Sequence, residues 1–185
     1  MSATPPEMIA WLDLETTGLD EARDEIVELG IVLTTTRLQE VAARSWLIHP
    51  TILPLSEWDE VAREMHADNG LLHELRTEIA AEVGGVEEAA CVWLAQQGMT
   101  PGTLPLGGYS IDFDRRFLRR HMTRLEGWFH RRLIDISGLR QLTQWWMPAE
   151  VYPRAPKPRH RALADCRAAI AEANHYRCEL FERKP

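Results

Sequence analysis

The pattern of apolar and polar residues changes once along the chain, near residue 56. Before this point, apolar and β-branched residues form three short runs, which we predict as the strands of an antiparallel meander. After it, apolar residues recur at helical spacing, interrupted by two further short apolar runs. Strands followed by alternating helices and strands are typical of one mixed α/β sheet flanked by helices. The five predicted strands cover residues 8–14, 26–35, 41–49, 104–109 and 132–136.

Several predicted helices begin at residues whose side chains can accept hydrogen bonds from free backbone N–H groups. Ser56 and Asp59 resemble a capping box at the start of the first helix. Ser137 is expected to cap a helix that continues through Trp146. Further predicted segments are a helix over residues 86–97, a proline-rich extended loop over 152–159 and a long alanine-rich helix over 162–181.

Length and composition predict one globular domain over residues 1–185, with a flexible N-terminal tail (1–7) and a flexible C-terminus (182–185). No apolar run approaches the roughly 18–20 residues of a membrane span, so we expect no membrane partner. The three cysteines are an odd number without a Cys-x-x-Cys motif. Together with the absence of a recognisable secretory signal, they favour a reducing, cytoplasmic location.

Charge is distributed unevenly between the two halves of the chain. Residues 1–90 contain 5 basic and 19 acidic side chains, whereas residues 91–185 contain 16 basic and 9 acidic ones. The net charge of −7 argues against a protein that coats long duplex DNA by neutralising phosphates. The basic half could still contact a short phosphate-containing ligand locally.

Two carboxylates close the first predicted strand. Asp13 and Glu15 are two positions apart, so their side chains point to the same face of the strand. Neighbouring carboxylates repel and raise each other's pKa unless a cation lies between them. They are therefore either a cation site or an ordinary strand end that emerges into solvent, and the pair alone does not decide between these.

Three further residues favour the cation site. Asp114 opens a predicted helix directly after a predicted strand, and Asp165 lies near the start of the last helix, five residues after His160. A helix-start acid and a loop histidine also occur without any catalytic role. Four acids without a Cys or His cluster suit hard cations, Mg²⁺ or Mn²⁺, rather than zinc.

These residues carry a resemblance to the DEDDh 3′-to-5′ exonuclease family, and within it to the oligoribonucleases. The similarity runs over nearly the whole chain. Its motifs are Asp-Leu-Glu-Thr-Thr-Gly-Leu at residues 13–19, Asp114 and His-Arg-Ala-Leu-Ala-Asp at 160–165, supported by Glu-Met-His at 64–66, Phe-His at 129–130 and Asp-Ile-Ser at 135–137.

The resemblance implies an RNase H-like fold, two divalent metal ions and hydrolysis of short single-stranded RNA from its 3′ end. It implies metal binding by Asp13, Glu15 and Asp165, with Asp114 acting through bound water. It also implies that His160 is the general base, a role that suits a side chain whose charge ordinarily changes near neutral pH. A homodimer is a further expectation from the same resemblance.

Five positions match substrate contacts of oligoribonucleases. Leu19 is expected to wedge between the last two bases, and His66 to lie near the 3′-terminal nucleotide. Ser110, Arg132 and Ser137 are expected to grip the 5′ phosphate, because hydroxyls and the planar donor fork of arginine suit that group. The alternatives are a core-packing turn residue for Leu19, a helix-face histidine for His66 and a surface arginine for Arg132.

The chain departs from the oligoribonuclease pattern at several substrate-facing positions. Arg131 replaces a tyrosine that stacks on a base, Val61 replaces a tryptophan, Tyr109 replaces an asparagine, and Thr16 stands where methionine is usual. The Glu-Thr-Thr-Gly run is also typical of proofreading 3′-to-5′ DNA exonucleases. Two alternatives therefore remain: a DNA exonuclease, and a non-catalytic nucleic-acid-binding scaffold.

Overall fold

The computed structural model describes residues 7–51, 54–153 and 160–182. Five strands form one sheet in the order β3-β2-β1-β4-β5. The pairs β1–β2 and β2–β3 are antiparallel, whereas β1–β4 and β4–β5 are parallel. The strands are β1 (Met8–Thr16), β2 (Ile26–Thr35), β3 (Glu40–Leu47), β4 (Leu104–Gly108) and β5 (Phe129–Asp135). This mixed sheet confirms the predicted fold class and the antiparallel meander.

Helices cover both faces of the sheet. They are α1 (Glu60–Asp68), α2 (Leu71–Thr77), α3 (Val83–Gln96), α4 (Asp112–His121), α5 (Thr123–Glu126), α6 (Ile136–Trp146) and α7 (Ala162–Tyr176). A short π-helical turn, Arg177–Phe181, extends α7. Among the described residues, no helix is both long enough and apolar enough to cross a membrane.

The strand β1 lies at the centre of the sheet, and its alternating side chains enter two separate cores. Leu12 and Leu14 pack in a core with residues of α3 and α4, such as Leu94 and Phe117. Trp11 packs on the opposite face in a core with Cys166 and other residues of α7. The odd-numbered residues of β1 therefore face α7, and this parity fixes where Asp13 and Glu15 point.

The start of α7 lies directly on β2. A Cβ atom at Gly30 would come within 2.7 Å of the backbone carbonyl carbon and the Cβ of Ala162, a distance that side-chain atoms do not tolerate. The missing side chain at Gly30 thus lets the first turn of α7 approach the sheet. Gly30 pairs with Asp13 in the β1–β2 ladder, so this close approach brings the first turn of α7 to the carboxylates of β1.

Two predicted helix caps are wrong. Asp59 caps α1 by accepting a hydrogen bond from the Ala62 amide, while Ser56 lies in a preceding 3₁₀ turn. At α6 the cap is the side chain of Asp135, which accepts hydrogen bonds from the amides of Ser137 and Gly138. In both cases a nearby aspartate, rather than the expected serine, caps the helix, and carboxylates are equally good caps.

Other boundaries also differ from the prediction. The strand β5 begins at Phe129, three residues earlier than expected, because its polar positions 130–132 conceal the strand at the edge of the sheet. The predicted tail falls mostly on residues 1–6, the predicted flexible C-terminus on 183–185 and most of the proline-rich loop on 154–159. These three segments lie outside the described residues.

Candidate active site

Three carboxylates converge where β1 meets the first turns of α7. Asp13 and Glu15 point from β1 toward α7, and Asp165 lies in the first turn of that helix. One oxygen from each carboxylate can be chosen so that all three lie within 4.8 Å of one another. Glu15 is buried, whereas Asp13 and Asp165 are partly exposed. The cluster is therefore open to solvent on one side.

Asp114 approaches the same strand from α4. Its Oδ1 accepts a hydrogen bond of 2.9 Å from the backbone N–H of Leu14. This N–H is available because the ladder between β1 and β4 pairs only Ala10 and Trp11 of β1. Asp114 is only 4% exposed, and it is not a member of the three-carboxylate group. It lies beside the cluster and fixes the backbone between Asp13 and Glu15.

The pKa values of all four acids are raised, and desolvation is the largest cause for each. For Asp13, desolvation and then the charges of Asp114, Glu15 and Asp165 raise the pKa well above its usual value. Desolvation and the charges of Asp165 and Glu28 raise the pKa of Glu15 to about 8. The pKa of Asp114 rises to about 7, and that of Asp165 also rises. Cations would stabilise the ionised form of every member.

The donor set fits a divalent ion of the hard class. It consists of carboxylate oxygens, and no histidine or cysteine joins the group of three. Such oxygen-only sets suit Mg²⁺ and Mn²⁺ better than zinc. Asp13, Glu15 and Asp165 are thus the residues able to hold metal directly. Asp114 affects them through its negative charge and through its hydrogen bond with the Leu14 amide.

His160 lies at the entrance to α7, immediately before the residue that precedes this helix. Its backbone has φ = +47°, in the left-handed region that non-glycine residues rarely adopt. The side-chain amide of Asn69 donates a hydrogen bond to its carbonyl oxygen. The charge that His160 can carry lowers the pKa of Asp165, which counteracts the larger effect of desolvation. His160 is therefore within electrostatic reach of the carboxylate cluster.

His66 lies behind the cluster rather than on a helix surface. Its side chain is fully buried, and Nε2 donates to the carbonyl oxygen of Thr16 at 2.9 Å. Nδ1 makes no hydrogen bond within the described part of the chain and lies 3.8 Å from a carboxylate oxygen of Glu15. Burial lowers the pKa of His66, so the ring favours its neutral form.

Leu19 occupies the turn between β1 and β2, and 78% of its surface is exposed. The turn is fixed by Asp24, whose carboxylate accepts hydrogen bonds from the Thr17 hydroxyl and the Asp20 amide. Gly18 allows this arrangement, since a Cβ there would lie 2.3 Å from the Asp24 carboxylate. An apolar side chain is thus presented to solvent on a rigid turn directly after the carboxylates of β1.

Two of the three predicted phosphate contacts lie together. The Ser110 amide donates to Ser137 Oγ at 3.0 Å and to Asp135 Oδ1 at 3.2 Å, and the two serine hydroxyls are 3.1 Å apart. Ser110 has φ = +46°. Arg132 is exposed on β5, and its guanidinium group makes no hydrogen bond or ion pair with other described residues. Among the described residues, Arg132 therefore forms no hydrogen bond with Ser110 or Ser137.

The sequence reasoning missed a second layer around the cluster. Arg161 forms ion pairs with Glu28 of β2 and Glu74 of α2, and Asn69 contacts His160. One signal was present in the sequence, because Glu28 is the only charged residue of β2 and lies between the apolar residues Val27 and Leu29. Asn69 and Glu74 carried no such signal, since polar residues are ordinary on exposed helices.

Comparisons with solved structures identify the fold. The exonuclease I of Methylocaldum szegediense superposes with a TM-score of 0.71 at 22% identity, covering 94% of this chain and 41% of that chain. E. coli exonuclease I, in the zinc-bound form of its complex with single-stranded DNA, gives a TM-score of 0.72 at 14% identity. It covers 95% of this chain and 41% of that chain. The chain thus spans about two fifths of these exonucleases and shares their RNase H-like fold.

Comparisons with related sequences identify the family as well as the fold. The family model described as Exonuclease (RNase T type) matches residues 10–173. The oligoribonuclease of Aromatoleum aromaticum is 40% identical over 179 residues, which cover 96% of this chain and 96% of the relative. The oligoribonuclease of Streptomyces coelicolor is 35% identical over 182 residues, covering 97% of this chain and 90% of the relative. The fold, the carboxylate cluster and these relatives agree: the chain belongs to the oligoribonuclease group of the 3′-to-5′ exonuclease family.

Proposed function

We propose that this 3′-to-5′ exoribonuclease hydrolyses short single-stranded RNA to 5′-mononucleotides, using two divalent metal ions and His160 as general base. The observation that carries the proposal is the group of three carboxylates within 4.8 Å at the solvent-accessible end of β1. Three ionised carboxylates at this spacing repel one another unless a cation lies between them. Such an arrangement in a folded protein therefore favours a cation-binding site.

Asp13, Glu15 and Asp165 would hold one metal ion, Asp13 would also reach the second, and Asp114 would assist through water. The ions are Mg²⁺ or Mn²⁺, in keeping with the oxygen-only donor set. When bound, they neutralise the carboxylates and stabilise the negative charge that develops on the phosphate in the transition state. The hydrogen bond from Leu14 to Asp114 keeps the carboxylates of Asp13 and Glu15 in register.

The chemical step is attack of water on the last phosphodiester of the chain. A new bond forms between the water oxygen and phosphorus, and the bond between phosphorus and the 3′ oxygen of the preceding nucleotide breaks. His160 accepts the proton of the attacking water, and the leaving 3′ oxygen gains a proton from solvent. The products are a 5′-mononucleotide and an RNA shortened by one residue.

The substrate is held at both of its ends. Leu19 inserts between the last two bases, which its rigid and exposed position on the turn supports. His66 supports the site of the 3′-terminal nucleotide from beneath, a role that is in keeping with its burial beside Glu15 and Thr16. Ser110 and Ser137 receive the 5′ phosphate with their paired hydroxyls, and Arg132 supplies the positive charge from β5.

The active form is a homodimer in the cytoplasm. On the outer face of α6, 67% of the Trp145 surface and 73% of the Trp146 surface are exposed. Large exposed aromatic residues are enriched at protein interfaces. The cysteines are free thiols, two of them buried, as expected in a reducing compartment. Sedimentation of wild-type protein and a Trp145→Ser/Trp146→Ser variant tests the dimer, because a monomeric wild type would refute it.

A product analysis tests the activity. RNA of two to ten nucleotides, labelled at its 5′ end, is incubated with Mg²⁺, with Mn²⁺ or with a chelator. We expect stepwise shortening from the 3′ end with either ion, none with the chelator, and none with the Asp13→Ala variant. Asp112→Ala, which changes an exposed acid of α4, serves as the matched control. Cleavage in the interior of the RNA, or activity in the chelator, would refute the proposal.

A further inference from the structure

We propose that Asn69 and Glu74 are positioning residues, which hold the backbone of His160 in place through its carbonyl oxygen and through Arg161. The inference rests on the proposed role of His160 as general base. Neither residue belongs to the carboxylate cluster, and both lie where α1 ends and α2 runs past the entrance of α7. They act through His160 and its neighbour Arg161, so they are not catalytic residues themselves.

The backbone of His160 requires support. A left-handed conformation at φ = +47° is unfavourable for a residue with a Cβ atom, and it persists only where surrounding contacts maintain it. The side chain of Asn69 supplies one such contact. Its Nδ2 donates to the carbonyl oxygen of His160, while its Oδ1 accepts from the amide of Leu71 at 2.9 Å. Asn69 is therefore itself fixed at both ends of its amide.

The residue after His160 is held even more firmly. The guanidinium of Arg161 donates to Glu74 at 2.6 and 2.7 Å, and to Glu28 at 3.0 and 3.3 Å. Glu28 also accepts the amide of Ala162, the first residue of α7. A planar guanidinium with a bidentate carboxylate on each of two edges has little rotational freedom. The ion cluster therefore fixes the peptide on the C-terminal side of His160.

These contacts join the two sides of the site. The helix α1 carries His66, which holds the end of β1 through Thr16, and it ends at its C-cap Asn69, which holds His160. A displacement of α1 would therefore move the proposed base relative to the carboxylates of β1. Proton transfer requires a base within hydrogen-bond reach of its proton, so small displacements have large effects on rate.

Variants that spare the carboxylates test the inference. Asn69→Asp keeps the acceptor for Leu71 but removes the donor to His160, and Glu74→Ala frees one side of Arg161. The matched control is Glu40→Ala, which removes the bidentate partner of Arg167 on α7 and contacts neither His160 nor Arg161 in the described structure. We expect Asn69→Asp and Glu74→Ala to lower kcat by about 10-fold with KM unchanged, because a small displacement of a catalytic group lowers the rate by about this factor or more. We expect Glu40→Ala to match wild type.

A double-mutant comparison separates positioning from general destabilisation. If both residues act through His160, neither substitution lowers kcat further in a His160→Ala background. A loss of equal size in both backgrounds, or wild-type kcat in both variants, would overturn the inference. A failure of the proposed function is distinguishable, since it appears as full activity of His160→Ala or as inactive wild-type protein. Thermal unfolding of each variant identifies any that fails to fold, and Asn69→Ser and Glu74→Gln then replace it.

Discussion

The carboxylate of Asp114 accepts the backbone N–H of Leu14, the residue that separates Asp13 from Glu15 on β1. The contact joins positions 100 residues apart in the sequence and closes the free end of the β1–β4 ladder. A polar group that the sheet leaves unpaired is thus satisfied by an acid of the site. The relationship makes Asp114 part of both the fold and the electrostatics of the cluster.

Replacing Asp114 by asparagine separates these two contributions. An asparagine Oδ1 can still accept the Leu14 amide, so we expect the folded structure to persist. The negative charge is lost, and we expect hydrolysis to fall by about 10- to 100-fold, as for other residues that support metal ligands. The measurement is kcat/KM on short RNA with Mg²⁺. Asp112→Asn on the same helical turn is the control, and equal rates for both variants would contradict the account.

The raised pKa values predict how metal-free stability depends on pH. Desolvation raises the pKa of Glu15 from its usual value of 4.5 to about 8, so the folded protein binds this proton more tightly than the unfolded chain. Its contribution to stability is complete below pH 4.5 and is lost as the pH rises to 8. We therefore expect the Tm of the metal-free protein to fall between pH 5 and pH 8.

Metal binding should offset this loss. A ligand at a hundred times its Kd stabilises the folded state by about 2.7 kcal/mol, or roughly 5–10 °C in Tm for a chain of this size. We expect a larger increase at pH 8 than at pH 5.5, because protons compete with the ion at low pH. Calorimetric scans with and without Mn²⁺ at both pH values measure this increase in Tm. Asp13→Asn should flatten both dependences, and a larger metal effect at pH 5.5 would contradict the prediction.

The close approach of α7 to β2 predicts the cost of a single methyl group. Gly30→Ala would place a Cβ within 2.7 Å of Ala162 and force the start of α7 away from the sheet. We expect a loss of about 1–3 kcal/mol in the free energy of unfolding. We also expect about a 10-fold loss of kcat, since Asp165 and His160 move with the helix. Urea unfolding and steady-state kinetics measure the two effects.

The control for this substitution is Gly84→Ala in the first turn of α3. An added Cβ at Gly84 would meet no atom within 4 Å, and alanine favours helix over glycine. We expect unchanged activity and equal or slightly greater stability. A Gly30→Ala variant that behaved like Gly84→Ala would show that the approach of α7 is not required.

A buried carboxylate between α6 and α7 predicts a stability effect away from the cluster. Glu172 accepts hydrogen bonds from the hydroxyls of Tyr109 and Tyr176 and forms a 2.7 Å ion pair with Arg140. Because Glu172→Ala leaves the Arg140 charge without its partner, we expect a loss of about 3–5 kcal/mol in unfolding free energy. Urea titration measures it. The exposed Glu88→Ala should change stability by at most about 0.5 kcal/mol, and equal losses would contradict the prediction.

The arrangement of strands and helices was predictable because each core-facing element carries an apolar period. Residues 8–14 of β1 are apolar except for Asp13, residues 26–33 of β2 are apolar except for Glu28 and Gly30, and the structure buries most of both strands. The strand β5 was found only in part, since polar residues such as His130 and Arg131 hide its first half at the sheet edge. Helix caps were misplaced because a serine and an aspartate a few residues apart satisfy the same rule.

The residues of the acidic cluster were predictable from the sequence, but the contacts that support them were not. Asp13 and Glu15 share a face by strand parity, and the family motifs selected Asp114, Asp165 and His160. The contacts that support them were not predictable, because Asn69 and His160 are 91 residues apart and neither has an unusual local pattern. Likewise, no local pattern in the sequence indicates that Ser110 and Ser137 hydrogen-bond to each other while Arg132 forms no hydrogen bond with either serine.

We expect this chain to degrade very short RNA in preference to long single-stranded DNA. The most direct test compares kcat/KM for a two-nucleotide RNA and for a single-stranded DNA of about 20 nucleotides, with Mn²⁺ present and Asp13→Ala as the control. We expect the wild-type protein to turn over the two-nucleotide RNA faster, and we expect Asp13→Ala to turn over neither substrate. Faster turnover of the long DNA would contradict it and would favour a DNA exonuclease.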